Sequence, residues 1–120
     1  MYLPKSSLAA MVALMLSGVD DRLMSGTATL GFKGTTNCGC PPNNGPFAVS
    51  IPEEFMKKRE CCQDTLTVEH RGKTVTVILN GVFDDGEGTQ NIEMSPMAFA
   101  MIADNPTDTT IGPVTWSFNN

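Results

Sequence analysis

Residues 65–83, TLTVEHRGKTVTVILNGVF, leave little choice of fold. Valine, leucine and isoleucine alternate with threonine and other polar residues on both sides of Arg71-Gly72, and a period of two belongs to strands with one buried face. Arg71-Gly72 itself is a tight-hairpin signal, because Gly72 can take the positive φ that such turns demand. Alternating runs recur at 26–32 (GTATLGF), 47–51 (FAVSI) and 114–118 (VTWSF). A lone hairpin is marginal in water. The runs are therefore expected to close into a small β-barrel with Val75, Val77, Phe99 and Trp116 in its core. His70, the only histidine, falls beside the turn and is expected to be exposed.

Two short helices are expected between the strands. SIPEEFMKK begins with Ser50 and carries Glu53 at the spacing of a capping box. In IEMSPMAF, residues 92–99, Ser95 is a good N-cap and Pro96 takes the first helical position, where a missing N–H costs nothing. Met97, Ala98, Met101 and Ile102 supply an apolar stripe, and Asn105-Pro106 ends it. CGCPPNNGP, residues 38–46, is a loop by its prolines and its Asn-Asn-Gly turn residues.

A chain of 120 residues suffices for one core and is short for two. Its net charge is −5, and the only basic run, KKR at 57–59, lies beside Glu53, Glu54 and Glu60, so no nucleic-acid footprint is present. At the N-terminus Lys5 precedes nine apolar residues, Leu8 to Leu16, followed by Ser17-Gly18. That run is about half of the roughly 20 residues a membrane span needs and fits a secretory leader. The expected organisation is a leader over 1–25 and one barrel domain over 26–120, secreted, monomeric and without a stable membrane span.

Cysteine usage agrees with an extracellular location. All four cysteines fall in two doublets, Cys38/Cys40 and Cys61/Cys62. Zinc sites favour wider spacing within each ligand pair, and a bridge inside a doublet would strain the chain between its halves. Two bridges between the doublets are expected, as Cys38–Cys61 with Cys40–Cys62 or as Cys38–Cys62 with Cys40–Cys61. Either requires an oxidising compartment.

Taken in order, GTATL, the CG turn, FAVSIP..F, C...LTVEHRGKTVTVILNGVFD, IEMSPMAFAMI and GPVTWSF resemble the barrel of expansins, loosenins, barwin-like proteins and rare-lipoprotein-A domains. The resemblance covers about residues 26–118 and implies an all-β fold, a six-stranded double-psi β-barrel with one or two short helices. In layout it is nearest to small single-domain loosenins. It further implies that Asp84, Glu93 and Thr29 line a polysaccharide groove. Two positions depart from the family pattern: Glu93 stands where an aspartate is usual, and Gly86 where a cysteine is usual.

Bottom-up, a pair of carboxylates can do two different things in such a groove. One acid can protonate a leaving oxygen while the other activates water, or both can accept hydrogen bonds from sugar hydroxyls with no bond broken. Asp84, Asp85, Glu87 and Glu93 are the available acids, with Asp84 and Glu93 the candidate catalytic pair. Phe32 and Phe83, each beside a candidate groove segment, are placed to stack on sugar rings, with Thr29 and Asp85 completing the candidate binding set. No cofactor and no metal site is expected. The functional expectation is a wall-polysaccharide binder that loosens its target without hydrolysis. The alternatives are a glucanase-like or peptidoglycan transglycosylase-like enzyme using Glu93, and a secreted effector or defence-related interaction protein.

Overall fold

The turn at Arg71-Gly72 organises the longest strand pair in the protein. A computed structural model of the chain describes residues 23–40, 45–84 and 88–119. In it β4 (Thr65–His70) and β5 (Lys73–Phe83) pair antiparallel from Thr65↔Ile78 to His70↔Lys73. Both turn residues are left-handed, Arg71 at φ 52° and Gly72 at φ 84°, as a two-residue turn of matching twist requires. The other strands are β1 (Met24–Leu30), β2 (Thr35–Asn37), β3 (Ala48–Pro52), β6 (Ile92–Met94) and β7 (Thr110–Phe118). The expected boundary between residues 25 and 26 thus falls inside β1.

Six strands close a ring in the order β5, β3, β6, β1, β7, β4 and back to β5. The pairs β1–β6 and β3–β5 are parallel, and the remaining ring pairs are antiparallel. The edge of β5 opposite β3 is shared. β4 occupies it up to Ile78 and β2 takes it over at Gly81–Phe83. The register of β3 on β5 shifts between Val49 and Ser50, which skips Asn80 and brings Gly81 under β2. Only glycine fits there, because a Cβ on Gly81 would overlap the Thr35 methyl.

Both disulfides lie at this handover, as Cys38–Cys61 and Cys40–Cys62, one of the two open connectivities. The cysteine backbones extend the ladder: Cys62 N–H donates to Leu79 O and Cys38 N–H to Asn80 O, at 2.7 and 3.2 Å. Trp116 is fully buried, donates its indole N–H to Gln90 O at 2.8 Å, and meets Phe55 and Phe118 edge to face. Val75, Val77 and Phe99 join it in the core as expected.

Four local expectations are corrected. His70 is 1% exposed rather than a surface turn residue, since period two places it on the same inner face as Leu66 and Val68. Its Nδ1 faces Pro113 O at 2.8 Å and its Nε2 faces Asp104 Oδ2 at 3.1 Å. Ser50 begins no helix: it lies buried within β3, and only a 3₁₀ turn, Glu53–Phe55, follows Pro52. Ser95 does precede helix α1 (Pro96–Ile102), but its hydroxyl caps nothing. It donates to Pro46 O and accepts from Ala48 N–H, at 2.6 and 2.9 Å, pinning the helix start to β3. The buried stripe of α1 is Ala98, Phe99 and Ile102, which leaves Met97 and Met101 about half exposed.

Asp104, just past α1, gathers His70 Nε2 at 3.1 Å, Lys73 Nζ at 3.2 Å and Arg71 at 3.4 Å. The hydrogen bond from His70, then that from Lys73, holds its carboxyl below the ordinary aspartate value. A carboxyl depressed in the folded state adds stability above its unfolded value and loses it as pH falls through the folded value. In urea titrations the stability gap between the parent and Asp104→Asn is therefore expected to be widest near neutrality. It should close in acid, below about pH 4. Independently, Trp116→Ala is expected to lower unfolding free energy by about 3–5 kcal/mol, and a loss under about 1 kcal/mol would show that the indole is not a core anchor.

Candidate functional site

Glu93 is the middle residue of the short strand β6, with Thr29 of β1 on one side and Ser50 of β3 on the other. That central position leaves it 8% exposed, and its carboxylate is held by β2 and the residue before it. Gly34 N–H donates to Oε1 and Oε2 at 3.3 and 3.2 Å, and the Thr35 hydroxyl donates to Oε1 at 2.5 Å. Donors to a charged acceptor are the stronger class of hydrogen bond, so the side chain is fixed in place.

The carboxylate borders a polar cavity of about 240 Å³. Thr27 and Thr29 line one wall, Asn91 and Ile92 lie beside Glu93, and Gly34, Phe83 and Asp84 close the other side. In the β1–β7 pairing the extra residue lies on β7, where Gly112 and Pro113 stand opposite Thr27 alone. The register slips between Gly26 and Ala28, where Thr27 N–H reaches Asn91 Oδ1 at 2.9 Å and Ser25 N–H reaches Gln90 Oε1 at 2.8 Å. Gly26 permits this approach, because a Cβ there would lie 2.5 Å from Gln90 O.

Of the residues singled out from sequence, Thr29, Phe83, Asp84 and Glu93 line this one cavity, although they come from three different strands and a strand end. Phe83 is 8% exposed, so little of its ring is open to a ligand. Phe32, at 37% exposure, lies in the β1–β2 connection and lines none of the cavities described here. Asp85 and Glu87 fall outside the described residues. The residues that sequence reasoning missed are Gly34 and Thr35. A three-residue strand shows no periodicity, and the only hint of β2 was the β-branched pair Thr35-Thr36.

A second cavity, of about 420 Å³, adjoins the first and shares Phe83 and Asp84 with it. No basic residue lines either one among the described residues. The arrangement offers a fixed acceptor in Glu93, a second carboxylate at the end of β5, and threonine and asparagine groups able to donate. That suits a neutral ligand rich in hydroxyls.

No family model and no curated protein matches the chain. Solved structures do. A Streptomyces papain inhibitor superposes with a TM-score of 0.65 at 23% identity, covering 82% of this chain and 96% of the inhibitor. An expansin of Clavibacter michiganensis, solved without ligand, gives 0.64 at 20% identity. A mutant of that expansin in complex with cellohexaose gives 0.61 at 18%. In both expansin comparisons 82% of this chain is covered and 51% of the expansin, so the chain spans about half the expansin's length. At these identities the fold is what is shared, and with its closed ring of six strands this chain is a double-psi β-barrel.

Proposed function

We propose that the protein binds a neutral wall polysaccharide in the groove around Glu93 and acts on it without hydrolysis. The observation that carries this reading is the convergence of Thr29, Asp84 and Glu93 on one polar cavity. An expansin of the same fold has been crystallised with cellohexaose, which makes a β-linked glucan the first ligand to try. Both oxygens of Glu93 already accept hydrogen bonds, from Gly34 and from Thr35 of β2, an arrangement that positions a carboxylate rather than leaving it free to hand a proton to a leaving group. Two disulfides support an oxidising compartment and, with it, a secreted protein. No helix among the described residues is long and apolar enough to cross a membrane.

One observation favours a second reading. The papain inhibitor is matched over 96% of its length, whereas the expansin is matched over 51%, so a protease-binding role for the barrel is the competing interpretation. Residual papain activity after incubation with the protein tests it directly.

The primary reading is tested by pull-down on cellulose, chitin and peptidoglycan, with reducing-end release measured on the same samples. Binding without new reducing ends is expected. Asp84→Asn and Glu93→Gln should each weaken binding by about tenfold or more, the loss of a hydrogen bond to a charged group. Unfolding midpoints measured on both variants separate loss of binding from loss of fold. Reducing ends that appear with the parent and vanish with Glu93→Gln would make the protein an enzyme instead.

A further inference from the structure

The larger cavity next to the Glu93 pocket has no part in the function proposed so far. Its own lining is Thr36, Glu53, Met56 and Val82, to which Phe83 and Asp84 are common with the first pocket. The two cavities are related through the β2–β5 pair. Thr35↔Phe83 and Thr36↔Val82 are successive rungs, and alternation sends Thr35 to Glu93 and Thr36 to the second cavity. The shared residues are the last of β5 and the one after it, so the cavities meet over that strand's end. A linear polymer leaving the first pocket across Asp84 enters the second.

The chemistry of the second cavity differs from that of the first. Met56, Val82 and Phe83 make part of its lining apolar, while Thr36, Glu53 and Asp84 bring hydrogen-bonding groups to it. A pyranose ring has this character, with C–H faces above and below and hydroxyls around its equator. At about 420 Å³ the cavity falls within the range of small-molecule sites. Glu53, Asp84 and Glu93 bring three carboxylates to the two linings and no described residue brings a cation, which disfavours uronic-acid units by like-charge repulsion. We infer that this cavity is a second sugar subsite, taking the next ring of the same neutral glycan that occupies the Glu93 pocket. The inference rests on the polysaccharide reading above and adds to it the extent of the site and the exclusion of acidic glycans.

The test uses the parent protein and a Thr36→Val/Glu53→Gln double variant, both changes being at exposed positions. Each is titrated with cellohexaose, with the N-acetylglucosamine hexamer and with a galacturonate hexamer, with backbone amide shifts followed by NMR. The bound neutral hexamer is expected to move amides at Thr29 and Gly34 and also at Thr36 and Met56. The double variant should bind it about fivefold more weakly, lose the Thr36 and Met56 shifts and keep those at Thr29. The galacturonate hexamer should bind neither protein. Shifts confined to the Glu93 pocket with unchanged affinity in the double variant overturn the second subsite and leave the first standing. Galacturonate binding as tightly as cellohexaose overturns the charge selection. Absence of binding by either neutral hexamer to the parent removes this inference together with the reading beneath it.

Discussion

Two cystines at a single point on β5 hold the site in place. β2 is three residues long, and so short a strand has too few ladder bonds to keep its position unaided. Cys38 follows its last residue directly, and the bridge to Cys61 ties that end to the segment leading into β4. The second bridge, Cys40–Cys62, repeats the tie two residues on. Because β2 stays on β5, Gly34 and Thr35 stay over Glu93. Without them a carboxylate that is 8% exposed would lose its donors, a loss worth about 1–3 kcal/mol or more for a charged group. The covalent frame therefore supports a strand, the strand supports a carboxylate, and the carboxylate shapes the cavity.

Two groups of charged side chains stand at opposite ends of β5. At its start, Asp104 draws together His70, Arg71 and Lys73, joining the β4–β5 turn to the segment after α1. In this cluster one acid accepts from three side chains drawn from both ends of the turn. At the far end, eleven residues and about 35 Å along the strand, Glu53, Asp84 and Glu93 line the two cavities.

What the sequence made legible follows from how local each signal is. The β4–β5 hairpin was readable because alternation and turn chemistry both lie within residues 65–83, and they agree. Glu93, Asp84 and Thr29 were singled out through a resemblance spread over about residues 26–118, and the barrel brings them to one cavity. The failures came from long-range contacts and, for His70, from a local phase passed over. His70 was placed by its nearness to a turn when its phase with Leu66 and Val68 already pointed inward. Ser95 has the local signature of a helix cap, yet its hydroxyl is engaged by Pro46 and Ala48, nearly fifty residues away in sequence. β2 was missed because three residues held by cystines need no intrinsic preference of their own.

The length of the acid at position 93 can be understood from the same frame. The resemblance implies an aspartate here, and glutamate adds one carbon–carbon bond, about 1.5 Å of reach. In this barrel that reach is used: the carboxylate spans from β6 to Gly34 and Thr35, and Oε1 meets the Thr35 hydroxyl at 2.5 Å. An aspartate on the same backbone would fall short by about that bond length and leave the Thr35 hydroxyl and the Gly34 N–H without their acceptor. Glutamate at 93, Gly81 beneath Thr35 and the cystines beyond β2 thus depend on one another. The longer acid is matched to a β2 that crosses close over the barrel, and it is this match, more than the identity of the acid alone, that sets the shape of the cavity a ligand meets.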